Sequence, residues 1–450
     1  MRKAVAGFAG FGEVNSPKEI IERKCIEIKS KLEEELEIIY TGPISDDREG
    51  KDVRSATEQL KHKEFDVLIL CIAGWIPSHA VISVAREFIH IPMVLLGLSG
   101  YYESGKLITT ADQAGTTALR SVMEDMGYDF KYIFNIAGTD HKTQEVINYA
   151  KAARARKLLN TARIGMMGYR DMNLYGTMFD GISLRRKIGV EVEVFEMLEM
   201  LQKAELADDT QVSNTAAELT KDWDFARPAK QSTLEEGTRY YLALKELIIE
   251  RDYEAISLID VDGMKKLLKY PPSMVFMLIA DNLNICTIPE NDTLGSVTQL
   301  IVKYLTGQAA AYLEFYEFME DRVLAGVPDY VPKEITDGKT TVCPATFGNF
   351  SEGVLNVSVI KTGRITLSRL HCADGKYSMH IVTGNAVTPR PWEEAGWTPP
   401  APQLPGLEII LDKPVEEFAC KVISQHYIIS YGDNTELLRD FCTIMGIDII

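Results

Sequence analysis

The first third of the chain alternates apolar runs with amphipathic stretches, and few folds accept that rhythm. "KAVAGFAG", "EIIY", "FDVLILCIA", "IPMVLLG" and "YIFNIAG" are apolar runs of buried-strand length. Between them lie segments such as "SPKEIIERKCIEIKSKLEEE", with helical spacing, Ser16 as cap and Pro17 at the first helical position. Strands that are apolar throughout are buried on both faces. The pattern therefore predicts a parallel sheet covered by helices on both sides.

The rhythm resumes after a long helix expected over about Lys142 to Leu159. "ARIGMMG", "VEVEVFE", "EAISLID" and "ICTI" read as strands of a second α/β unit, with helices over "YGTMFDGISLRRKIG" and near "PPSMVFMLIADN". From about Asp321 the character changes. "GVLNVSVIKTGRITLSRL" and "YSMHIVTGNAV" alternate, are rich in β-branched residues and carry glycine turns. "TPRPWEEAGWTPPAPQLPG" is Pro-rich and is expected to be a surface connection, and a last helix covers "NTELLRDFCTIMG". At 450 residues the chain exceeds one ordinary domain. The expected architecture is two Rossmann-like α/β domains, over 1–160 and 161–320, then a β-rich, barrel-like C-terminal domain over 321–450.

Charge and cysteine usage bound the partners. The formal charge of −17 argues against nucleic acid and anionic membranes, but not against a small anionic substrate, because a local pocket can oppose the global charge. No apolar run approaches the roughly 18 residues a membrane span needs. "MRKAVAGFAGFGEVN" begins basic and then apolar, as a signal peptide does. Its glycines and Glu13 favour a first strand and turn, with a signal peptide as the alternative. Seven scattered cysteines without a CxxC pair suit reduced thiols in a cytoplasm, not disulfides or a structural zinc site. "GFAGFG" near the start is not GxGxxG, so a tight turn is expected there and not a nucleotide loop.

The chemistry gathers in "TIPENDTLGSVTQLIVKYLTGQAAAYLEFYE", Thr287 to Glu317. Glu290 stands at the carboxyl end of a short strand, where open α/β sheets bind ligands. Asn291 or Asp292 can cap the helix that follows, and Gly307 ends it. That helix is roughly 21 Å long at about 1.5 Å per residue. A return strand can bring Glu314 back beside Glu290. Two neighbouring carboxylates repel unless a cation joins them, and carboxylates with one imidazole suit Mn²⁺, Mg²⁺ or Co²⁺. The competing reading makes Glu290 a helix N-terminal acid and Glu314 a surface strand residue.

Three blocks of the chain resemble the L-fucose isomerase and L-arabinose isomerase family: "PENDTLGSVTQLIVKYLTG", "GYRDMNLYGTMFDGISLRRKIGVEVEVFEM" and "SQHYIISYGDNTELLRDFCTIMGIDII". The resemblance implies Mn²⁺ held by Glu290, Glu314 and His426, with Co²⁺ or Mg²⁺ as other candidates. It implies aldose–ketose isomerisation through an enediolate, with Glu290 and Glu314 as the acid–base pair, and a homotrimer or homohexamer. It also implies that Trp75, on a first-domain loop, stacks on the sugar in a neighbouring subunit's pocket. The alternative for Trp75 is a packing aromatic. His371 and His380 read either as structural hairpin residues or as pocket residues. Arg170 reads as a group that binds an anion or hydroxyl, or as half of a surface salt bridge. Arabinose isomerases carry a further histidine upstream of Val-Cys-Pro, and "TDGKTTVCPATFG" has none. The chain is also shorter than typical fucose isomerases. A 6-substituted, for example sulfonated, aldose therefore stays open as substrate, as does a non-catalytic sugar-binding role.

Overall fold

The computed structural model describes residues 2–327, 331–346, 352–393 and 403–450. The chain divides into two compact units, Met1–Lys157 and Leu158–Ile450. The first holds strands β1 (Ala4–Phe11), β2 (Leu36–Ile44), β3 (Val67–Ile72), β4 (Met93–Gly97), β5 (Tyr101–Glu103), β6 (Lys106–Ile108) and β7 (Phe130–Phe134). Five of them form a wholly parallel sheet in the order β2-β1-β3-β4-β7, and β5 and β6 pair as a small antiparallel hairpin. Every residue of β3 and β4 is buried, as an apolar strand with helices on both faces requires. Helix Lys18–Leu32 buries Ile21, Cys25, Ile28 and Leu32, one stripe at helical spacing. Pro17, not Ser16, holds its cap position, and no side chain bonds there.

The second unit holds two further sheets that position the site. Its parallel sheet runs β12-β11-β8-β9, built from β8 (Arg163–Met167), β9 (Glu191–Phe195), β11 (Ala255–Leu258) and β12 (Cys286–Ile288). Helices Gln231–Arg251 and Ser273–Leu283 cover it, with Leu244, Leu247, Ile256, Leu258 and Phe276 in one buried cluster. The helix expected over "YGTMFDGISLRRKIG" is confined to Gly181–Lys187, because Asp180 caps it by accepting from the amide of Ser183.

The other sheet closes on itself. Strands β13 (Ala311–Phe318), β14 (Val323–Gly326), β17 (Gly363–Ala373), β18 (Lys376–Val387), β19 (Gly406–Leu411) and β20 (His426–Tyr431) run in the order β17-β20-β13-β14-β19-β18. Pairing of β17 with β18 completes a six-stranded antiparallel barrel, with β21 (Asp448–Ile449) added beside β18. Leu313, Leu367, Leu407, Tyr427 and Ile429 belong to its buried cluster. The short strands β10 (Asp224–Phe225), β15 (Thr341–Thr346) and β16 (Glu352–Asn356) form a separate sheet. The protein is thus a mixed α/β fold with parallel sheets and a barrel-like sheet. Residues 394–402 of the Pro-rich connection lie outside the described residues. Among the described residues no helix is long and apolar enough to cross a membrane. All seven cysteines are free thiols.

Candidate functional site

Strand β12 ends at Ile288, and the chain then turns sharply. Glu290 and Asn291 both take the left-handed region, with φ of 61° and 54°. Asp292 caps helix Thr293–Thr306, accepting from the amide of Gly295 at 3.0 Å, and Gly307 ends it with φ 76°. The turn buries Glu290 at the carboxyl end of the parallel sheet, beside the barrel. Glu290 Oε2 accepts from Gln425 Nε2 at 3.4 Å. Asn291 is fully buried. Its amide nitrogen donates to the carbonyl of Met167 at 3.1 Å, while its Oδ1 has no partner among the described residues.

The barrel supplies the other two groups. Glu314 on β13 lies directly opposite His426 on β20 in an antiparallel ladder, so both side chains project from the same face. His426 stands between the two carboxylates. Its Nδ1 is 3.9 Å from Glu290 Oε2 and its Nε2 is 4.0 Å from Glu314 Oε2. Burial pushes the imidazole pKa down to about 3, with Asp292 opposing that shift and Arg369 reinforcing it. The ring is therefore neutral at ordinary pH. The contacts are not ion pairs but a neutral imidazole with a carboxylate facing each nitrogen.

A second buried network fixes that ring. The phenol of Tyr312 stacks on His426 with centroids 4.3 Å apart and planes at 17°. Its hydroxyl donates to Asp292 Oδ2 at 2.9 Å. Arg369, on β17, donates Nη1 to Asp292 Oδ2 at 2.5 Å and Nη2 to Oδ1 at 2.8 Å. Both charged residues are almost wholly buried. Burial opposes ionisation of Asp292, but the guanidinium outweighs it and holds the carboxyl below its usual range.

The remaining nominated residues each have their own surroundings. Trp75 is 39% exposed in the loop after β3, with its backbone bonded to Thr110 and Glu13. Arg170 donates Nη2 to Asn173 Oδ1 at 3.0 Å and lies over the Tyr175 ring at 5.0 Å. It forms no ion pair among the described residues, and its neighbour Asp171 is fully buried and accepts backbone amides instead. His371 is half-buried on β17, its pKa lowered by burial and by Arg369. His380 is buried, bonds through Nδ1 to the Tyr427 hydroxyl at 2.7 Å and stacks on Phe418. It lines a cavity of about 290 Å³ with Asp412, Lys413 and Lys421, and none of Glu290, Glu314 and His426 lines that cavity.

Sequence reasoning missed Tyr312, Arg369 and Asp260, whose buried carboxylate accepts from the amide of Glu290 at 2.7 Å. Arg369 had a signal: strand alternation sets it on the face of Ile365 and Leu367, and a charge among apolar side chains demands a partner. Asp260 follows its strand end as Glu290 follows its own. Tyr312 had none, because stacking across two strands is invisible in one of them.

Two carboxylates and a neutral imidazole, with no thiolate, are a donor set for Mn²⁺, Co²⁺ or Mg²⁺. Among the described residues no group of three or more His, Cys, Asp or Glu side chains meets metal-holding geometry, this one included, so a carboxylate would have to swing, with the imidazole held, for all three to reach one ion.

No family model and no curated protein matches the chain. Among solved structures it is similar to the periplasmic sugar-binding protein of an ABC sugar transporter from Legionella pneumophila. Identity is 14% and the TM-score 0.18, over 68% of this chain and 97% of that one. It is similar at 12% identity and a TM-score of 0.17 to an ABC transporter periplasmic solute-binding protein from Actinobacillus succinogenes 130z with bound D-allose, over 74% and 95% of the two chains. Likeness at this level does not establish a shared fold.

The expected membership in the L-fucose and L-arabinose isomerase family is corrected here: no family model and no curated protein places the chain in it. The physical reason lies in the motifs. Asp292 is a helix cap, Gly307 a left-handed helix stop, and Gly432, at φ 92°, the turn between β20 and the last helix. Any strand–helix–strand passage needs such residues, so their order identifies punctuation, not ancestry.

Proposed function

We propose that this chain is a divalent-metal-dependent isomerase that interconverts a sugar aldose and its 2-ketose. Glu290, Glu314 and His426 would hold the ion. The observation that carries the reading is the neutral, buried imidazole set between two carboxylates at 3.9 and 4.0 Å. A metal ligand must offer an unprotonated nitrogen, and burial keeps His426 in that form. A bound ion supplies stabilisation of the negative charge that grows on the substrate oxygens.

The chain's own groups do the rest. One of Glu290 and Glu314 takes the carbon-bound proton, and the other exchanges the hydroxyl proton. Tyr312, locked through Asp292 to Arg369, keeps the imidazole plane from turning. The substrate class is a small aldose, with a 6-substituted, sulfonated aldose as the variant reading. A cytoplasmic enzyme of three or six copies belongs to the same proposal.

A second reading, a non-catalytic sugar-binding protein, is favoured by one detail. The carboxylates face different nitrogens of His426, whereas one ion takes one nitrogen.

NMR of the protein with Mn²⁺ and a panel of aldoses in D₂O separates the two. The expected result is a ketose carrying deuterium at carbon 1, with bound Mn²⁺ that falls in His426→Ala. Sugar binding without metal and without turnover would refute the isomerase.

A further inference from the structure

Two buried carboxylates tie three strand ends of the second unit's parallel sheet together, and the tie ends on Glu290. Asp171, beyond β8, is fully buried. Its Oδ1 accepts from the amide of Asp262 at 2.7 Å and its Oδ2 from that of Val261 at 2.8 Å. Asp260, beyond β11, is equally buried. Its Oδ1 accepts from the amide of Glu290 at 2.7 Å, and its Oδ2 meets Lys265 Nζ at 2.9 Å.

The pairing of Asp260 with Lys265 depends on unusual winding. Asp260–Leu268 is a π-helix, in which the amide of Met264 bonds the carbonyl of Ile259. Five residues of an α-helix turn through about 500°, leaving their side chains about 140° apart. The wider turn brings residues five apart onto one side. π-Turns are rare and gather at functional sites.

Backbone strain collects at both ends of the tie. Glu290 and Asn291 have positive φ, and so do Met172 and Asn173 just beyond Asp171, at 46° and 55°. Residues other than glycine hold that conformation at a cost and keep it only where the surroundings over-determine it.

We infer that Asp260 is the positioning residue of this site: its carboxylate holds the backbone of Glu290 in the left-handed turn that presents Glu290 to His426. Lys265 is its counter-charge, and Asp171 braces the turn that carries it. The inference rests on the proposed role of Glu290, and the test separates the two.

The test compares Lys265→Met with the double variant Asp260→Ala/Lys265→Met, which leaves no buried cation beside an absent carboxylate. Two readouts are taken on the full chain: Mn²⁺ affinity from the electron paramagnetic resonance signal of free Mn²⁺, and the ¹⁵N shifts of the His426 ring without metal. The double variant is expected to bind Mn²⁺ at least about tenfold more weakly than Lys265→Met and to move the His426 resonances. Asp260→Asn, which keeps an oxygen for the amide of Glu290, is expected to stay within about threefold of the wild type. Equal affinity and unmoved His426 resonances in the double variant would overturn the inference. Should the wild type bind no Mn²⁺, the metal reading falls, and the His426 shifts alone decide: moved resonances uphold Asp260 as the positioning residue, unmoved ones refute it. Should the double variant not fold, Asp171→Asn decides in its place, with a smaller movement of the His426 resonances expected and no movement refuting the inference.

Discussion

The parallel sheet of the first unit and that of the second share one plan, but their carboxyl ends carry different residues. In the first unit the ends of β1 and β3 run into Gly12 and Gly74, where a Cβ would meet Ile21 at 2.7 Å. Those glycines let a helix approach closely, and the ends are filled by packing. In the second unit the ends of β8, β11 and β12 run into Asp171, Asp260 and Glu290, all buried. Burying a carboxylate costs several kcal/mol unless partners recover it. The first unit also has a comparable buried pair, Lys24 with Asp112, which engages Thr110. That pair is closed within itself. The acids of the second unit instead lead, through Glu290 and Asp292, to an imidazole. Two sheets of one kind thus differ in where they accept the cost of buried charge, and that difference, not the fold, points to a site.

The largest effect that could break this contrast is on turnover. Glu290→Gln and Glu314→Gln should each lower the proposed aldose–ketose exchange by about 10²–10⁴, the usual span for a general acid or base, with the circular dichroism spectrum unchanged. Full activity in either variant would remove the acid-ended sheet as the working one.

Next comes a matched pair of stability changes. Asp112→Asn in the first unit and Asp292→Asn in the second each leave a buried cation without its carboxylate. Both should lose about 3–5 kcal/mol in urea unfolding. Only Asp292→Asn should also lower turnover, because Asp292 carries the Tyr312 hydroxyl and Tyr312 the ring of His426. An equal loss of turnover from Asp112→Asn would erase the distinction between the units.

The smallest effect sharpens the contrast through acid. Burial, reinforced by Lys421 and Lys413, lowers the His380 pKa to about 4. The unfolded ring takes a proton below about 6.5, the folded one only near 4. Between those values the folded state binds fewer protons, so this stability is present above about 6.5 and is lost as pH falls towards 4. Its size is at most about 3 kcal/mol. His426 acts in the same direction, whereas Asp171, raised to about 7 by burial and by Asp260, opposes them. His380→Phe should therefore flatten the decline in urea stability between about pH 6.5 and 4.5. An unchanged slope would show that His380 is not the group responsible.

Much of the scaffold was legible because its signals are local. The apolar runs marked the strands of both parallel sheets, Gly307 marked the end of one helix to the residue, and its cap was narrowed to Asn291 or Asp292, of which Asp292 is the one. Alternation marked β17 and β18 as paired strands. The return of Glu314 towards Glu290 was read from the chain, whereas His426 entered only through the resemblance, and its place between the two carboxylates was not legible. What stayed hidden depends on contacts between distant segments. Tyr312 and Arg369 matter through Asp292, and neither partner lies nearby in sequence. The π-helix over Asp260–Leu268 was not read from the sequence at all. The family resemblance went wrong for the converse reason, because it weighed local punctuation as if it were chemistry.

The closure of the barrel makes the proposed site depend on contacts between distant segments. Glu314 and His426 meet only when β13 pairs with β20, and β20 is held on its other side by β17. Closing so long a loop adds little entropy cost over a shorter one, but contacts of such separation form late. Any chain that has not docked β20 displays Glu290 and Glu314 with no imidazole between them. The proposed site therefore exists only where β13 and β20 are paired.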